Sequence, residues 1–264
     1  MILKRKIYKK LLEWKKECQG KKALLIEGAR RIGKSTICEE FGKSEYKSFL
    51  LIDFAKKDKE VEGYFEKYLN DLDTFFMLLQ THFGTKLTER NSLIIFDEVQ
   101  MFPQARAAIK YLVADGRYDY IETGSLISIR ENVKNIVIPS EERHINMYPL
   151  DFEEFAIALE EDLLVEYIKK CFEKREPLER SMHNQAMLLF HQYMLVGGMP
   201  MPVVAFIESK KDFTEADKEK RDILKLYRED IMKIDMRYRS KVLAIFDQIP
   251  GFLSQHEKRV VFKK

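Results

Sequence analysis

Residues 28–36 run Gly28-Ala29-Arg30-Arg31-Ile32-Gly33-Lys34-Ser35-Thr36, which fits the spacing G-x-x-x-x-G-K-[ST]. That spacing suits a bound polyphosphate. Gly28 and Gly33 allow dihedrals and close approaches that a Cβ would block. The loop N–H groups can then converge as an anion nest, and the following helix adds the positive end of its dipole. A lysine at position 34 reaches the β- and γ-phosphates of a nucleotide, and the Ser35 hydroxyl ligates the accompanying Mg²⁺. All nine residues are therefore candidates for holding the nucleotide, and Lys34 is also a catalytic candidate. The bland alternative, a glycine turn with an incidental lysine, would not explain why a strand pattern precedes the motif and a helix pattern follows it.

A second constellation lies about sixty residues on, in Leu93-Ile94-Ile95-Phe96-Asp97-Glu98-Val99-Gln100. The apolar run is a buried strand, and in open α/β sheets ligands sit outside the carboxyl ends of the strands. Asp97 would face the metal there and hold it through a water, while Glu98 would polarise the attacking water. A weaker third signal is Thr123-Gly124-Ser125 at the end of YDYIE. A hydroxyl at Thr123 or Ser125 would sense the γ-phosphate or orient the water, and a plain Ser/Gly turn explains the same residues.

These residues need a framework. ALLIE (23–27), SFLLID (48–53), LIIFD (93–97), YDYIET (118–123) and RHINMY (143–148) have the short apolar or β-branched character of strands. Helical patterns separate them, chiefly EVEGYFEKYLNDLDTFFMLLQTHF and QARAAIKYLVAD. Such alternation predicts a parallel sheet covered by helices on both faces. The fold class is thus α/β, a P-loop NTPase core, followed by a helical lid. Ile7, Leu11 and Trp14 predict an amphipathic helix within residues 1–22. The core then spans 23–150. After Pro149 the chain becomes almost wholly helical, which marks 151–235 as a second unit.

The 264 residues carry 46 Lys+Arg against 43 Asp+Glu, with 18 Phe and 12 Tyr. Balanced charge with many aromatics excludes intrinsic disorder and gives no global reason to expect nucleic acid. Cys18, Cys38 and Cys171 include no close pair, against a disulfide framework or zinc cluster and in keeping with a reducing cytosol. No signal peptide or membrane span is visible, so the expected location is cytoplasmic. His82, His144, His183, His191 and His256 have no metal-ligand spacing.

The segments GARRIGKST, LIIFDEVQ with Pro103 shortly after, YIETGS, YPLDFEEF and YMLVGGMPMPVV cover nearly the whole chain in order. Together they resemble a widespread prokaryotic group of AAA-type ATP-binding proteins whose biological role is mostly unassigned. The resemblance implies an additional-strand P-loop ATPase core, with the helices after Asp151 beginning its lid. Gly198-Met199-Pro200 is similar to the glycine-x-proline turn of related signalling ATPases, where the proline packs near the adenine; this makes Pro200 a nucleotide-contact candidate, with an ordinary interhelical turn as the alternative. Two departures stand out. Where the group often has Gly-Arg before the YPL segment, this chain has Glu141-Glu142-Arg143. Such proteins also usually continue into a C-terminal domain of unknown function, so residues 236–264 are expected to be the start of a truncated C-terminal region.

The absence of an Asn-Lys-x-Asp segment favours adenine over guanine, and the adjacent Asp-Glu pair favours water over a substrate hydroxyl as acceptor. The expected activity is Mg²⁺-dependent ATP hydrolysis coupled to lid and partner conformation, with ATP/ADP as ligands. A slow nucleotide-gated switch and a DNA-associated regulator are the alternatives, the latter supported only by the lysine-rich ends. A protein partner or self-association is expected but unspecified, as is any catalytic arginine among Arg30, Arg31, Arg106, Arg117 and Arg143.

Overall fold

The computed structural model describes residues 1–125 and 140–255. The strands are β1 (Ala23–Glu27), β2 (Ser48–Asp53), β3 (Ser92–Asp97), β4 (Asp119–Gly124) and β5 (Glu142–Asn146). They form one five-stranded sheet in the order β2-β3-β4-β1-β5, and every pairing is parallel. β4 therefore lies between β1, which leads into the phosphate loop, and β3, which ends in Asp97. That insertion sets the site's width.

Alternation along the strands supplies two cores. Leu24, Ile26, Leu93, Ile95 and Ile121 face Leu11 and Trp14 of α1 (Ile7–Cys18) and Ile37 and Phe41 of α2 (Lys34–Glu45). Leu25, Ile52, Ile94, Phe96 and Tyr120 point the other way. They meet α3 (Lys59–Tyr68), α4 (Leu72–Phe83) and α5 (Pro103–Asp115) through Phe65, Phe75, Phe76, Ile109 and Leu112. Both faces of the sheet's central strands β1, β3 and β4 are covered, as their nearly continuous burial requires, whereas the edge strand β5 is polar and largely exposed.

After β5 come α6 (Phe152–Ala158), α7 (Asp162–Lys174), α8 (Arg180–Val196), α9 (Pro200–Glu208), α10 (Phe213–Ile231) and α11 (Met236–Ser254). Leu150, Phe155, Val165, Leu189, Val203, Phe206 and Ala216 make their shared core. α11 has no buried residue.

Two helical patterns divide where the sequence shows one. The run 60–83 breaks into α3 and α4 because Asp71 caps α4, its carboxylate accepting from the Thr74 N–H and hydroxyl. The run 151–176 breaks into α6 and α7 at Glu160, whose left-handed φ of 64° ends the first helix. α9 and α11 are helices that the sequence reading did not specify. Residues 126–139 of the expected core and 256–264 of the expected C-terminal region, His256 included, lie outside the described residues. Among the described residues, no helix is long and apolar enough to cross a membrane.

Candidate nucleotide site

The loop joins β1 to α2 at the carboxyl edge of the sheet. Gly33 caps α2 with φ 91° and ψ 27°, a conformation open to glycine but strained for a side chain. Gly28 is required by proximity instead, since a Cβ there would stand 2.4 Å from the Met147 carbonyl oxygen. Ala29, Arg30, Arg31 and Thr36 are exposed, Ser35 is half-buried, and the Ile32 side chain is fully buried in the core beneath the loop. Only the backbone of Ile32 is thus available to a ligand.

Lys34 opens α2 and is buried, yet among the described residues its Nζ donates only to carbonyls, Ala29 at 2.9 Å and Gly28 at 3.2 Å. Burial lowers its pKa, against the opposing pull of Glu98 and Asp97. A buried ammonium facing two acids, with no carboxylate in ion-pair contact among the described residues, is suited to an anion entering between them.

Asp97 ends β3 and is nearly buried. Its Oδ1 accepts from the Thr123 hydroxyl, which in turn accepts from the Glu98 N–H at 3.3 Å. The intervening strand β4 therefore contributes a hydroxyl that ties both acidic positions. Glu98 itself has a left-handed φ of 51°, and its carboxylate accepts from the Gln100 side chain. Ser125 is half-buried just beyond β4.

The helices after β5 reach this edge at two places. Leu150 N–H donates to Gly198 O at 2.6 Å, and a Cβ on Gly198 would lie 2.1 Å from Leu150 O. This close crossing of backbones sets the turn that places Pro200, whose Cγ would be 3.6 Å from a Cβ on Gly33. At the second, Tyr227 and Asp230 of α10 meet the exposed tip of the loop at Arg30.

Arg5 escaped the sequence reading because it lies in a run of basic residues with no local signal. It donates to Ile32 O at 3.0 Å and Tyr148 O at 2.6 Å and pairs with Glu154 at 3.3 Å. One buried guanidinium so joins the phosphate loop, the segment after β5 and helix α6. Tyr227 and Asp230 were equally invisible, since only tertiary folding brings them here, whereas Gln100 lies in the LIIFDEVQ run but was given no role.

The remaining arginines have other partners. Arg106 forms a two-point bond with Glu142, Arg117 pairs with Asp115 and Asp73, and Arg143 pairs with Glu17. Arg31 has no ion-pair partner among the described residues. Beside Arg106 stands Glu122, fully buried on β4, whose Oε2 lies 3.9 Å from the Arg106 Nε but neither of whose oxygens accepts a hydrogen bond among the described residues. Burial and the neighbouring Glu142 push the Glu122 carboxyl well above the usual range.

The donor set fits a magnesium nucleotide. A glycine cradle, a buried ammonium and hard oxygen donors at Ser35 and Asp97 offer what a polyphosphate and a small divalent cation need. Together, the sheet order and this cradle define a P-loop NTPase of the type with a strand inserted between loop and acid. The chain belongs to the AAA domain family, which matches residues 20–156, from just before β1 into α6. Family membership makes nucleotide binding of the ATPase type its general function. No curated protein matches significantly. Among solved structures the chain is similar to that of C. elegans PCH-2, at 13% identity and a TM-score of 0.38. The match covers 82% of this chain and 65% of that one.

Proposed function

We propose that this chain binds Mg·ATP across the ends of β1, β4 and β3 and hydrolyses it. The observation that carries the reading is Lys34, a buried cation at a helix N-terminus with Asp97 and Glu98 opposite. The N–H groups of residues 28–36 cradle the phosphates, and Lys34 binds the β- and γ-oxygens. Ser35 and Asp97 would hold the metal, which would supply charge neutralisation to the phosphates. Glu98 orients the attacking water, while Thr123 fixes the carboxylate of Asp97 and the backbone of Glu98. Ser125 stands next to these as a second sensing hydroxyl, and Pro200 flanks the base beside Gly33.

The test is Mg²⁺-dependent ATP turnover by the parent and Glu98→Gln. Turnover should fall by about 10²-fold or more in the variant while ATP binding persists, the range expected for a positioned general base. Equal turnover in both proteins would remove Glu98 from the mechanism.

One observation favours a second reading, a slow nucleotide-gated switch. One oxygen of the Glu98 carboxylate accepts from the Gln100 side chain, which would compete with an attacking water for that oxygen. Tight ATP binding without turnover, relieved by Gln100→Ala, would select that reading. A DNA-associated role is less supported, since Lys6 and Lys15 of the basic N-terminal stretch are engaged with Asp151 and the Glu45 carbonyl.

A further inference from the structure

Arg30 occupies the exposed tip of the phosphate loop, and α10 grips it twice. Its Nη1 lies 2.7 Å from both carboxylate oxygens of Asp230, and its backbone carbonyl accepts from the Tyr227 hydroxyl at 3.0 Å. Tyr227 and Asp230 are three residues apart, so they share one face of the helix. Asp230 is in the last turn of α10, where a negative charge opposes the helix dipole. Its carboxyl, though partly buried, is held below the usual range by Arg30 and Lys233. An acid in that place is unfavourable for the helix alone and becomes favourable through the loop it contacts.

The charge of Arg30 is also felt at the site. Asp230 chiefly raises its pKa, and the charge of Glu98 adds to the effect. The same guanidinium lowers the pKa of Lys34. It therefore stands within electrostatic range of both the candidate base and the candidate phosphate-binding lysine. A polyphosphate in the cradle would be a stronger, multiply charged competitor for it than one carboxylate.

We propose that Tyr227 and Asp230 form a latch on the phosphate loop whose exchangeable part is Arg30: its side chain pairs either with Asp230 or with a bound polyphosphate, and nucleotide binding thereby frees the C-terminal end of α10. This rests on the nucleotide reading above and supplies its regulation. Freed α10 carries α11 with it, because Arg228 on the same helix pairs with Asp247 at 2.8 Å. Linkage is reciprocal: the factor by which bound nucleotide weakens the latch is the factor by which the closed latch weakens nucleotide binding.

The test is equilibrium binding of Mg·ATP, and of inorganic tripolyphosphate as a probe without a base, to the full chain and its variants. Asp230→Asn should bind both ligands about two- to fivefold more tightly, the range for a partly exposed ion pair. Tyr227→Phe should shift binding in the same direction. Arg30→Ala combined with Asp230→Asn should bind no better than Arg30→Ala alone. Amide exchange across residues 227–235 should accelerate when Mg·ATP is added to the parent. These side chains are partly exposed, at 43% for Arg30 and 35% for Asp230, so the variants should fold. Parent binding that Lys34→Ala weakens and Asp230→Asn leaves unchanged or weaker would overturn the latch and leave the nucleotide site standing. A parent that binds no nucleotide would overturn both.

Discussion

At the scale of single residues, the chain places charge in unfavourable surroundings and then constrains what can satisfy it. Lys34 meets carbonyls, Glu98 takes a left-handed backbone, and Glu122 is buried without a donor among the described residues. Glu122 gives a prediction with a definite sign. Its folded-state pKa is raised above 4.5, so its stabilising contribution is complete below that pH. The contribution is lost as pH rises towards the folded value, because the unfolded chain releases the proton first. Glu122→Gln removes this loss. In urea unfolding at a series of pH values, the variant should gain on the parent above pH 4.5, by up to ~1.4 kcal/mol per pH unit. A stability difference that does not vary with pH would show that Glu122 is ionised in the fold. The lysine, the glycines and the two acids of the candidate site were legible in the sequence, because phosphate binding needs those residue types at fixed local spacing. Arg5, Tyr227 and Asp230 were not, because nothing near them in sequence distinguishes them from surface residues.

At the scale of elements, the strands were the most legible part. ALLIE and SFLLID form β1 and β2 at the bounds their composition predicts, since doubly covered strands are continuously apolar. Helix ends were harder to see, because a single cap or left-handed residue such as Asp71 or Glu160 interrupts an otherwise unbroken apolar period. The turn at Gly197-Gly198 shows how one element depends on another. Here the backbone of Leu150 passes where a side chain at 198 would lie, and α9 with Pro200 follows directly. Gly198→Ala should therefore destabilise the chain by roughly 1–3 kcal/mol, the usual cost of forcing atoms into a packed site. It should also lower nucleotide affinity by shifting Pro200, which a thermal melt with and without Mg·ATP would register. A loss of stability with the ligand-induced rise in Tm unchanged would remove Pro200 from the site.

At the scale of the molecule, residues far apart in sequence are joined at the loop. Arg5 bonds Ile32 and Tyr148 and pairs with Glu154, so the N-terminal segment ties the sheet edge to the helices that follow. Arg5→Ala leaves the Glu154 carboxylate buried without its guanidinium, a change that costs roughly 3 kcal/mol at such sites. Denaturant unfolding should show that loss, and the double variant Arg5→Ala with Glu154→Gln should recover part of it. No recovery would assign the effect to the loop carbonyl instead. The sheet order has a further consequence, for synthesis. β1 hydrogen-bonds to β4 and β5 alone, with Leu24 opposite Ile121 and Arg143. During translation β1 emerges while both its neighbours are still to be made, and β2 can find β3 before β4 and β5 exist. Such distant pairings close slowly and leave strand edges open in the meantime. The phosphate loop is thus made well before the two strands that give it its shape.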